Sequence, residues 1–387
     1  MTTKTESAST TAWREAWFDF EDAAYLNVAA QGPMPRVAIR AVQQALEWKK
    51  FPHRLADDVY FALPNRVRAS LATLLGAQVQ DIAITAGTSS GIAAVAAGLD
   101  WQHGDEVLIA KGEFPAHFAA FLPLAQAGML RVKVVEPRER FLDAGDFIEH
   151  LGPQTRLVST TLVRFDSGAR LDSARLARAC HQQRTLLLLD VAQCAGAMPL
   201  NLAELGADFV AGTGYKWLLG PYGTGFFWAR PELIEQLRPA PAYWMAFEDA
   251  DKFHRLSAGH FRLAPGARRW DSPETANFLN LSALDASLEF LLRAGVETVW
   301  NHVQRLISEI VARLPLDRCV LASPAEAAAR GPYICVAPRK AEKAPQLFEQ
   351  LRQAGVFVSL REGALRIAPH LYNSERDIDR LLSILSV

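Results

Sequence analysis

Short runs of consecutive apolar residues alternate along this chain with stretches in which apolar residues recur every three or four positions. The clearest run is Leu186–Leu189, where four leucines follow one another without a polar residue. Such a run predicts a strand buried on both faces, as in a parallel sheet, whereas the wider spacing predicts amphipathic helices. The chain is therefore expected to combine buried strands with helices that cover them.

The same patterns predict the other elements. The expected strands are Phe18–Asn27 with its turn, Ile82–Thr85, Glu106–Ala110, Leu157–Thr161, Asp208–Ala211, Tyr333–Ala337, Val356–Ser359 and Leu365–Ile367. The expected helices are Arg36–Lys50, Arg66–Leu75, a small-residue helix that ends at Leu99, Leu171–Gln182, Leu281–Leu292, Val296–Leu314, Lys343–Ala354 and Ser374–Ile384. Toward the C-terminus short strands alternate with helices, which predicts a smaller α+β domain.

Composition limits the classes of function. The 387 residues exceed the usual size of one hydrophobic core, so two domains are expected. Half of the residues are hydrophobic and the net charge is −1, so a polyanionic partner such as nucleic acid is not indicated. Gly, Pro or charged residues interrupt the apolar stretches well short of the ~20 residues that a membrane span needs, so no membrane partner is expected.

The chain contains four cysteines, Cys180, Cys194, Cys319 and Cys335, and none of them forms a Cys-x-x-Cys pair. This spacing indicates neither a zinc site nor a disulfide framework. The simplest interpretation is a cytoplasmic protein with reduced thiols and no bound metal. The first residues, Met1–Thr11, are polar and lack the apolar centre of a signal peptide.

Two ionisable residues follow buried strands. Asp190 ends the leucine run, and Lys216 follows the strand Asp208–Ala211 in a glycine-rich turn, between Tyr215 and Trp217. Ligands of open α/β sheets bind beyond the carboxyl ends of strands, so Asp190 points to a site. A lysine in apolar surroundings has a lowered pKa and can act as a nucleophile. This pair suits pyridoxal phosphate, because the lysine can form a Schiff base while the aspartate keeps the ring nitrogen protonated.

Each of the two residues also has an ordinary interpretation. An aspartate at a strand end is usually a cap, and a lysine is usually a solvated surface group. Both residues lie in turns that follow apolar strands, and this shared context favours the functional interpretation.

The segment around these residues resembles the class V aminotransferases, a family of fold-type I pyridoxal phosphate enzymes that includes kynureninases, cysteine desulfurases and isopenicillin N epimerases. The matching residues are Asp190-Val-Ala-Gln193, Asp208 and the glycine-rich segment Thr213–Gly225. Family features recur from about Tyr25 to the C-terminus. The resemblance implies an α/β fold of the fold-type I PLP-transferase kind, with a mostly parallel central sheet, helices on both faces and a smaller α+β domain.

The resemblance and the patterns together suggest a division of the chain. Residues 1–15 are expected to form a flexible leader, 16–55 an N-terminal segment that contributes to the small domain, 56–262 the large domain that binds pyridoxal phosphate, and 263–387 the small C-terminal domain. The resemblance also implies a homodimer, because fold-type I enzymes usually place their active sites at dimer interfaces.

A candidate phosphate site lies where strand Ile82–Thr85 leads through a glycine turn into a helix. Free backbone N–H groups and the helix dipole bind anions at such a place, and the hydroxyls of Thr88 and Ser89 add donors. Capping the helix is the commoner role of such residues, but the neighbouring lysine pattern favours the cofactor phosphate. The resemblance implies Thr213 as a second phosphate ligand. It also implies that Thr275 reaches the phosphate of a neighbouring subunit, although the usual Gly-Thr pair is missing.

The resemblance implies contacts to the cofactor ring and the substrate as well. Gln193, three residues after the aspartate, matches a family residue that contacts the phenolic oxygen. Desulfurases carry a histidine where this chain has Phe114-Pro115, and kynureninases carry Phe-Pro, so Phe114 is expected to stack on the ring. His117 is expected either to face the substrate or to lie on the surface. Asn27 is expected to line the substrate side, unless it belongs to an ordinary turn.

Arginines are the candidates for substrate recognition, since a planar guanidinium binds a carboxylate through two parallel hydrogen bonds. The resemblance assigns this role to Arg366, which would hold the α-carboxylate of an amino acid. The alternative is a salt bridge at a strand end, and Arg361 stays open between a substrate and a structural role. Relatives also place a residue against the phenolic oxygen near Arg164 and Asp166, and the sequence does not choose between these two.

One absence separates the subfamilies. Cysteine desulfurases carry a reactive cysteine on a longer loop between the two arginines, where this chain has only Glu362–Leu365. The short loop resembles kynureninases and epimerase-like members. The expected function is therefore a class V aminotransferase-like enzyme that acts on an α-amino acid through a Lys216 Schiff base and a Cα carbanion. A β-lyase, a kynureninase-like enzyme, an epimerase and a non-catalytic protein with this fold stay open.

Overall fold

The computed structural model describes residues 13–238, 243–252, 261–275 and 277–386. Its strands are β1 (Ala24–Tyr25), β2 (Ile82–Thr85), β3 (Glu106–Ala110), β4 (Arg131–Val135), β5 (Thr155–Thr161), β6 (Leu186–Asp190), β7 (Phe209–Thr213), β8 (Gly225–Ala229), β9 (Cys319–Leu321), β10 (Ile334–Pro338), β11 (Val356–Phe357), β12 (Ser359–Arg361) and β13 (Ala364–Ile367). Its α-helices, apart from a short one over residues 13–17, are α1 (Arg36–Lys50), α2 (Val59–Leu75), α3 (Thr88–Gly98), α4 (Pro115–Gln126), α5 (Ala144–Ile148), α6 (Ser173–Gln182), α7 (Leu202–Leu205), α8 (Pro231–Ile234), α9 (Phe278–Ala294), α10 (Val296–Ala312), α11 (Ala344–Gln353) and α12 (Glu375–Leu385).

The central sheet has seven strands in the order β2-β8-β7-β6-β5-β3-β4. Strands β3 to β7 run parallel, whereas β8 runs antiparallel to both of its neighbours. The carboxyl ends of β5, β6 and β7 therefore meet at one edge of the sheet, which is where ligands of such sheets bind. The expected α/β fold with a mostly parallel sheet is confirmed.

Alternate leucines of β6 enter two different hydrophobic cores. Leu187 and Leu189 pack in the larger cluster, which includes Leu284 of α9. Leu188 packs in a second cluster, which includes Ile92 of α3. Because successive side chains of a strand point to opposite faces, the leucine run shows that helices cover the sheet on both sides.

A second, smaller sheet forms from the C-terminal part of the chain. Its four strands are antiparallel and follow the order β12-β13-β10-β9. Close to it, β1 pairs in parallel with β11, and Asn27 forms a parallel bridge with Ala368. The segment that contains Asn27 is thereby fixed beside the strands that carry Arg361 and Arg366.

Several elements differ from those expected. Helix α2 begins at Val59 instead of Arg66, because it accommodates Pro64 within its second turn. Helix α4 was not expected from its sequence, which is apolar on most of its surface and contains Pro123. The expected strand Val356–Ser359 divides at Val358 into β11 and the first residue of β12, which join different sheets.

Part of the predicted leader is packed. The ring of Trp13 contacts that of Phe290 with centroids 5.5 Å apart, and Arg14 lies 3.1 Å from the carboxylate of Asp377. The prediction of a loose leader is therefore wrong for these two residues, and residues 1–12 lie outside the described part. The predicted boundary between residues 262 and 263 follows residues 253–260, which also lie outside it. No helix in the described ranges has the length and apolar character that a membrane crossing requires.

Candidate active site

Lys216 lies in the turn that follows β7, and the backbone around it is closely packed. The N–H of Gly32 donates to the carbonyl of Tyr215 at 2.8 Å. A Cβ atom at Gly32 would lie 2.0 Å from the carbonyl oxygen of Lys216, so only glycine fits there. This packing fixes the position of the lysine backbone against the loop that follows Asn27.

A cavity of about 150 Å³ opens at the carboxyl edge of the central sheet. Its lining includes six residues predicted from the sequence to be functional: Thr88, Ser89, Phe114, Asp190, Thr213 and Lys216. The predicted lysine and aspartate therefore share one cavity, and the strand-end argument that placed them there agrees with the structure.

The side chain of Lys216 is 8% exposed, and its surroundings change its chemistry. Burial lowers its pKa, Asp190 opposes this effect and the positive charges of Arg366 and Arg361 add to it, so that the pKa falls from 10.5 to about 8. Its Nζ lies 5.5 Å from the centroid of the Phe114 ring. A substantial fraction of this amine is neutral near pH 8, so it can act as a nucleophile and as a base.

The phosphate end of the cavity is formed by the start of α3. The Oγ1 atom of Thr88 is buried without a hydrogen-bond partner in the described structure. The helix begins at this residue, so its first N–H groups lack intrahelical acceptors. A Cβ at Gly225 would lie 2.6 Å from the Cα of Gly87, so β8 approaches the turn closely. An unsatisfied hydroxyl at a helix N-terminus fits the phosphate of pyridoxal phosphate.

Phe114 and Asp190 occupy the part of the cavity where a ring would bind. The Oδ1 atom of Asp190 accepts the N–H of Ala192 at 2.7 Å. Phe114 is 40% exposed, and its ring meets that of Phe165 edge to face with centroids 5.6 Å apart. An exposed flat ring beside a carboxylate provides a stacking surface and a partner for a ring nitrogen. The predicted roles of these two residues fit the geometry and stay predictions.

Arg366 is buried and has no carboxylate partner in the described part of the chain. Its Nη1 donates to the carbonyl of Phe165 at 3.1 Å, its Nη2 donates to Ser359 Oγ at 3.4 Å, and its Nε has no partner there. Ser359 Oγ in turn donates to Asn27 Oδ1 at 2.5 Å. The structure gives no support to the alternative of a strand-end salt bridge. A guanidinium held by neutral groups is available for a substrate carboxylate.

Arg361 lies on the same face of the β12–β13 hairpin as Arg366, because Ser359 pairs with Arg366 two residues away from it. Its side chain is exposed and donates to the carbonyl of Leu360 at 2.9 Å. Arg361 influences the pKa of Lys216, which places its charge near the site. Its role stays open.

Arg164 and Asp166 pair with each other at 2.6 Å. Arg164 also lies 3.5 Å from Glu113, a fully buried carboxylate that accepts the Oγ1–H of Thr160 and the backbone N–H of Phe114. The guanidinium of Arg164 is therefore held among protein groups, at the segment between the two sheets. Arg164 and Asp166 both stay predicted as the residue that contacts the phenolic oxygen of the cofactor.

Two other predicted residues have protein partners. The side-chain amide of Gln193 lies between the carbonyl of Ala29 and the indole N–H of Trp217, each at 3.3 Å. Thr275 is buried, and its hydroxyl donates to the carbonyl of Ser272. The predicted contacts of Gln193 with the phenolic oxygen and of Thr275 with a neighbouring subunit's phosphate stay predictions.

His117 is fully buried, so the alternative of a surface histidine is wrong. Its Nδ1 lies 2.8 Å from Ser159 Oγ, and its Nε2 lies 3.8 Å from Asp190 Oδ2. The ring therefore lies behind the aspartate instead of facing the opening. The structure therefore places His117 next to Asp190, where a contact with the substrate was predicted.

Sequence reasoning missed an aromatic pair at the opening. The rings of Tyr215 and Tyr222 stack with centroids 3.9 Å apart, and both residues line the cavity. Both lie inside the glycine-rich segment that carries Lys216, but their separation of seven residues in a turn gives no periodic signal. The pair adds flat, partly apolar surfaces to the cavity wall.

All four cysteines are free and buried. Burial raises the pKa of Cys180 and of Cys335 to about 12 and that of Cys194 well above its usual value. Because the thiolate is the reactive form, none of these groups is suited to act as a nucleophile.

Comparisons with known proteins agree with this site. The profile of the family described as Aminotransferase class-V matches residues 24–381. A kynureninase from Deinococcus radiodurans is 30% identical over 96% of this chain and 92% of its own length. An isopenicillin N epimerase from Streptomyces clavuligerus is 26% identical over 93% of each chain, and a probable cysteine desulfurase from Methanothermobacter thermautotrophicus is 28% identical over 75% of this chain and 72% of its own.

The solved structures agree in fold. The cystine C-S lyase C-DES, in complex with its product cysteine persulfide, superposes with a TM-score of 0.86 at 23% identity and covers 95% of this chain and 98% of that chain. The cysteine desulfurase CsdA from Escherichia coli superposes with a TM-score of 0.82 at 21% identity over 97% of each chain. The family match spans most of the sequence, and the cavity combines a buried lysine, a strand-end aspartate and an unsatisfied hydroxyl at the start of α3. This chain belongs to the class-V aminotransferase family and is a pyridoxal phosphate-dependent enzyme of the transferase or lyase type.

Proposed function

We propose that this protein transfers the amino group of an α-amino acid, with Lys216 as the residue that binds the cofactor and moves the Cα proton. The observation that carries the proposal is the buried amine of Lys216, whose pKa is lowered to about 8, in one cavity with Asp190. A non-catalytic protein would have no need to keep a costly buried lysine beside an open phosphate site.

When bound, pyridoxal phosphate supplies an aldehyde that condenses with amines and a ring that accepts the electron pair left at the substrate Cα. Thr88, Ser89 and Thr213 would hold the phosphate. Phe114 would cover one face of the ring, and Asp190 would hold the proton on the ring nitrogen. Each of these five residues lines the cavity.

Lys216 acts as the base. Near pH 8 its amine is partly neutral, so it can take the proton from Cα and, as an ammonium group, return it. The stacked rings of Tyr215 and Tyr222 line the same cavity as the lysine. The acidity of the Cα proton depends on the cofactor, whereas its removal depends on this chain's own lysine.

Arg366 orients the substrate. Its guanidinium is held by the carbonyl of Phe165 and by Ser359, which leaves N–H groups for the α-carboxylate. Fixing the carboxylate at one place sets which substituent of Cα points to the lysine. The buried position strengthens the interaction, because few waters compete for the charge.

The second candidate is cleavage at Cβ, as in a β-lyase or a kynureninase-like enzyme. The observation that favours it is the 30% identity to a kynureninase over 96% of this chain. A desulfurase that stores sulfur on its own cysteine is disfavoured. All four cysteines are buried, and the raised pKa values of their thiols make them unreactive. Epimerisation would need a second proton donor on the opposite face of Cα, and no described residue is identified for that role.

The assembly that we propose is a homodimer in which Thr275 completes the phosphate site of the neighbouring copy. The support is the resemblance of residues 268–277 to the segment that has this role in the family. Thr275 is buried beside Ser272. The hydroxyl of Ser272 accepts the N–H of Ala86 in the turn of residues 86–87 between β2 and α3, which we call the phosphate turn. This segment therefore lies next to the phosphate turn of its own chain as well.

The test begins with covalent labelling. Purified protein is incubated with pyridoxal phosphate, reduced with borohydride and digested, and the labelled peptide is identified by mass spectrometry. We expect the label on Lys216, its loss in Lys216→Ala, and its retention in the control Lys340→Ala, whose lysine is exposed and remote from the cavity. Labelling that persists in Lys216→Ala would contradict the proposal.

The reaction is then assigned by products. The loaded enzyme is screened against a panel of α-amino acids with a keto-acid acceptor, and keto acid, alanine, sulfide, anthranilate and the opposite enantiomer are measured. If the keto acid derived from the substrate forms in proportion to the acceptor consumed, the result supports aminotransfer. Release of a β-fragment without use of the acceptor supports the second candidate and overturns the first.

A further inference from the structure

We propose that His117, supported by Ser159, is a positioning residue that holds the Asp190 carboxylate in place toward the ring nitrogen of the cofactor. The inference rests on the proposed function and adds two residues behind the same site. His117 and Ser159 act on the aspartate from behind. Neither of these two residues lines the cavity.

The three residues are brought together by the sheet. Ser159 of β5 pairs with Leu188 of β6, two residues before Asp190. Side chains two residues apart on a strand share a face, so Ser159 and Asp190 point to the same side of the sheet. His117, in the first turn of α4, lies on this side and spans the gap between them.

The proton on the imidazole can be assigned from its neighbours. The hydroxyl of Ser159 lies 2.8 Å from Nδ1, and a serine hydroxyl can donate there. Nδ1 then carries the lone pair and Nε2 carries the proton. This proton points toward Asp190 Oδ2, which is 3.8 Å from Nε2 and accepts no other hydrogen bond in the described structure.

Two unsatisfied groups therefore face each other. The Nε2 atom of His117 is buried without a hydrogen-bond partner in the described structure, a state that is unfavourable for a buried polar atom. Asp190 Oδ1 is already fixed by the N–H of Ala192 at 2.7 Å. The hydrogen bond requires Oδ2 and Nε2 to approach from 3.8 Å to normal hydrogen-bond distance.

The consequence concerns the orientation of the carboxylate. Two donors on one carboxylate, the N–H of Ala192 and the Nε2–H of His117, hold it in one orientation at the carboxyl edge of the sheet. A carboxylate held there would interact with the proton on the ring nitrogen, and the protonated ring is the form that withdraws electrons from Cα. The amine of Lys216 must lose its proton to act as a base, so its attraction for Asp190 changes during the reaction. The histidine supplies a donor that does not depend on the state of the lysine.

The test measures the contribution of the ring nitrogen to binding separately from that of the rest of the cofactor. Binding of pyridoxal phosphate and of its carbon analogue, in which C–H replaces the ring nitrogen, is measured by fluorescence titration. We expect His117→Leu to weaken binding of pyridoxal phosphate by about tenfold, because one hydrogen bond to a charged group is lost. Binding of the analogue should change less than about twofold, since it has no ring nitrogen for Asp190 to hold.

Matched variants distinguish this role from packing. His117→Gln retains a donor and should recover part of the selectivity, Ser159→Ala should lose part of it, and the exposed His103→Gln should bind both compounds as the wild type does. Equal weakening of both compounds in His117→Leu means that the histidine only fills space and overturns the inference. Unchanged binding of both compounds overturns it as well.

The ligand-free protein provides an independent readout. Nitrogen NMR of ¹⁵N-histidine-labelled protein should show His117 as the neutral tautomer with its proton on Nε2, and this signal should shift in Asp190→Asn. A proton on Nδ1 overturns the inference. Because this measurement needs no cofactor, its outcome is separate from that of the Lys216 labelling, which tests the proposed function.

Discussion

At the scale of single residues, the site is marked by charges that are buried without full compensation. Lys216 has a lowered pKa, and Arg366 has an unpartnered Nε. Burying such groups costs free energy unless another group satisfies them. Arg68, which is also buried, has Asp271 as its partner at 2.6 Å. At the cavity, a bound ligand would supply the missing interactions.

The first prediction concerns the stability of the cofactor-free protein as a function of pH. Below pH 8 both the folded and the unfolded chain carry the proton on Lys216, and the folded chain bears the full cost of burying it. Between pH 8 and 10.5 the unfolded chain still holds a proton that the folded chain has released, so the free energy of unfolding rises with pH.

Lys216→Met should therefore stabilise the cofactor-free protein most below pH 8, by something on the order of 3 kcal/mol, and the gain should vanish near pH 10.5. Urea unfolding of wild type and variant at both ends of this window measures it. A gain that does not depend on pH would show that the lysine is not the titrating group.

The second prediction concerns Arg366. Arg366→Lys keeps the charge but loses the planar pair of donors, so kcat/KM for the preferred amino acid should fall by about 10- to 100-fold. Most of the fall should appear in KM, because the carboxylate is bound in the ground state as well. The control Arg376→Lys lies on the surface beside Asp22 and should leave both constants unchanged. An unchanged KM in Arg366→Lys contradicts the assignment.

At the scale of elements, the cavity depends on how closely strands approach the phosphate turn. Gly225 opens β8, and a Cβ there would lie 2.5 Å from the carbonyl oxygen of Gly212 and 2.6 Å from the Cα of Gly87. Gly87 itself has φ 151°, in a region that other residues rarely adopt. The turn, the helix N-terminus and the neighbouring strand therefore form one close-packed unit.

The third prediction follows from this packing. Gly225→Ala should push β8 away from the phosphate turn, lower the free energy of unfolding by about 1–3 kcal/mol and weaken binding of pyridoxal phosphate. Denaturant unfolding with and without the cofactor measures both effects. In the control Gly152→Ala the new methyl group meets no atom within 4 Å, so stability and binding should stay as in the wild type. Equal behaviour of the two variants would contradict the argument.

The elements themselves were largely predictable. Strand β6 and helices such as α1 have strong local patterns, and their bounds agree with those expected. Helix α4 was missed because apolar residues surround most of it, so its sequence has no single hydrophobic face. Strand β4 was missed because it is the edge of the sheet and carries the exposed Arg131 and the half-buried Lys133.

At the scale of the whole molecule, the site lies between two sheets. Asp190 belongs to the central sheet and Lys216 to the turn after β7 of that sheet, whereas Arg366 belongs to the small sheet. The contact of Arg366 with the carbonyl of Phe165 joins the two parts at the site. Substrate bound by both would link them further, so binding should stabilise their present arrangement.

The fourth prediction concerns assembly. If Thr275 of a neighbouring copy completes the phosphate site, the affinity for pyridoxal phosphate should fall when the protein is diluted until it dissociates. Thr275→Ala should have this lower affinity at every protein concentration. Sedimentation and cofactor titration on the same dilution series measure both properties. An affinity independent of concentration, with Thr275→Ala equal to the wild type, contradicts the role of Thr275.

The sequence alone determined the features that depend on neighbours along the chain. A run of leucines specifies a buried strand, and a glycine-rich turn after such a strand leaves Lys216 at its carboxyl end, because backbone geometry couples residues only a few positions apart. The family resemblance extended this to the cofactor and to six of the residues that line the cavity.

Only the tertiary structure decided which distant groups meet. It placed Arg366 within electrostatic reach of Lys216, and it placed His117 behind Asp190 instead of in front of the substrate. These contacts depend on strand order, register and the direction in which α4 crosses the sheet. The local sequence does not determine strand order, register or helix direction, because they follow from how the two cores pack as a whole.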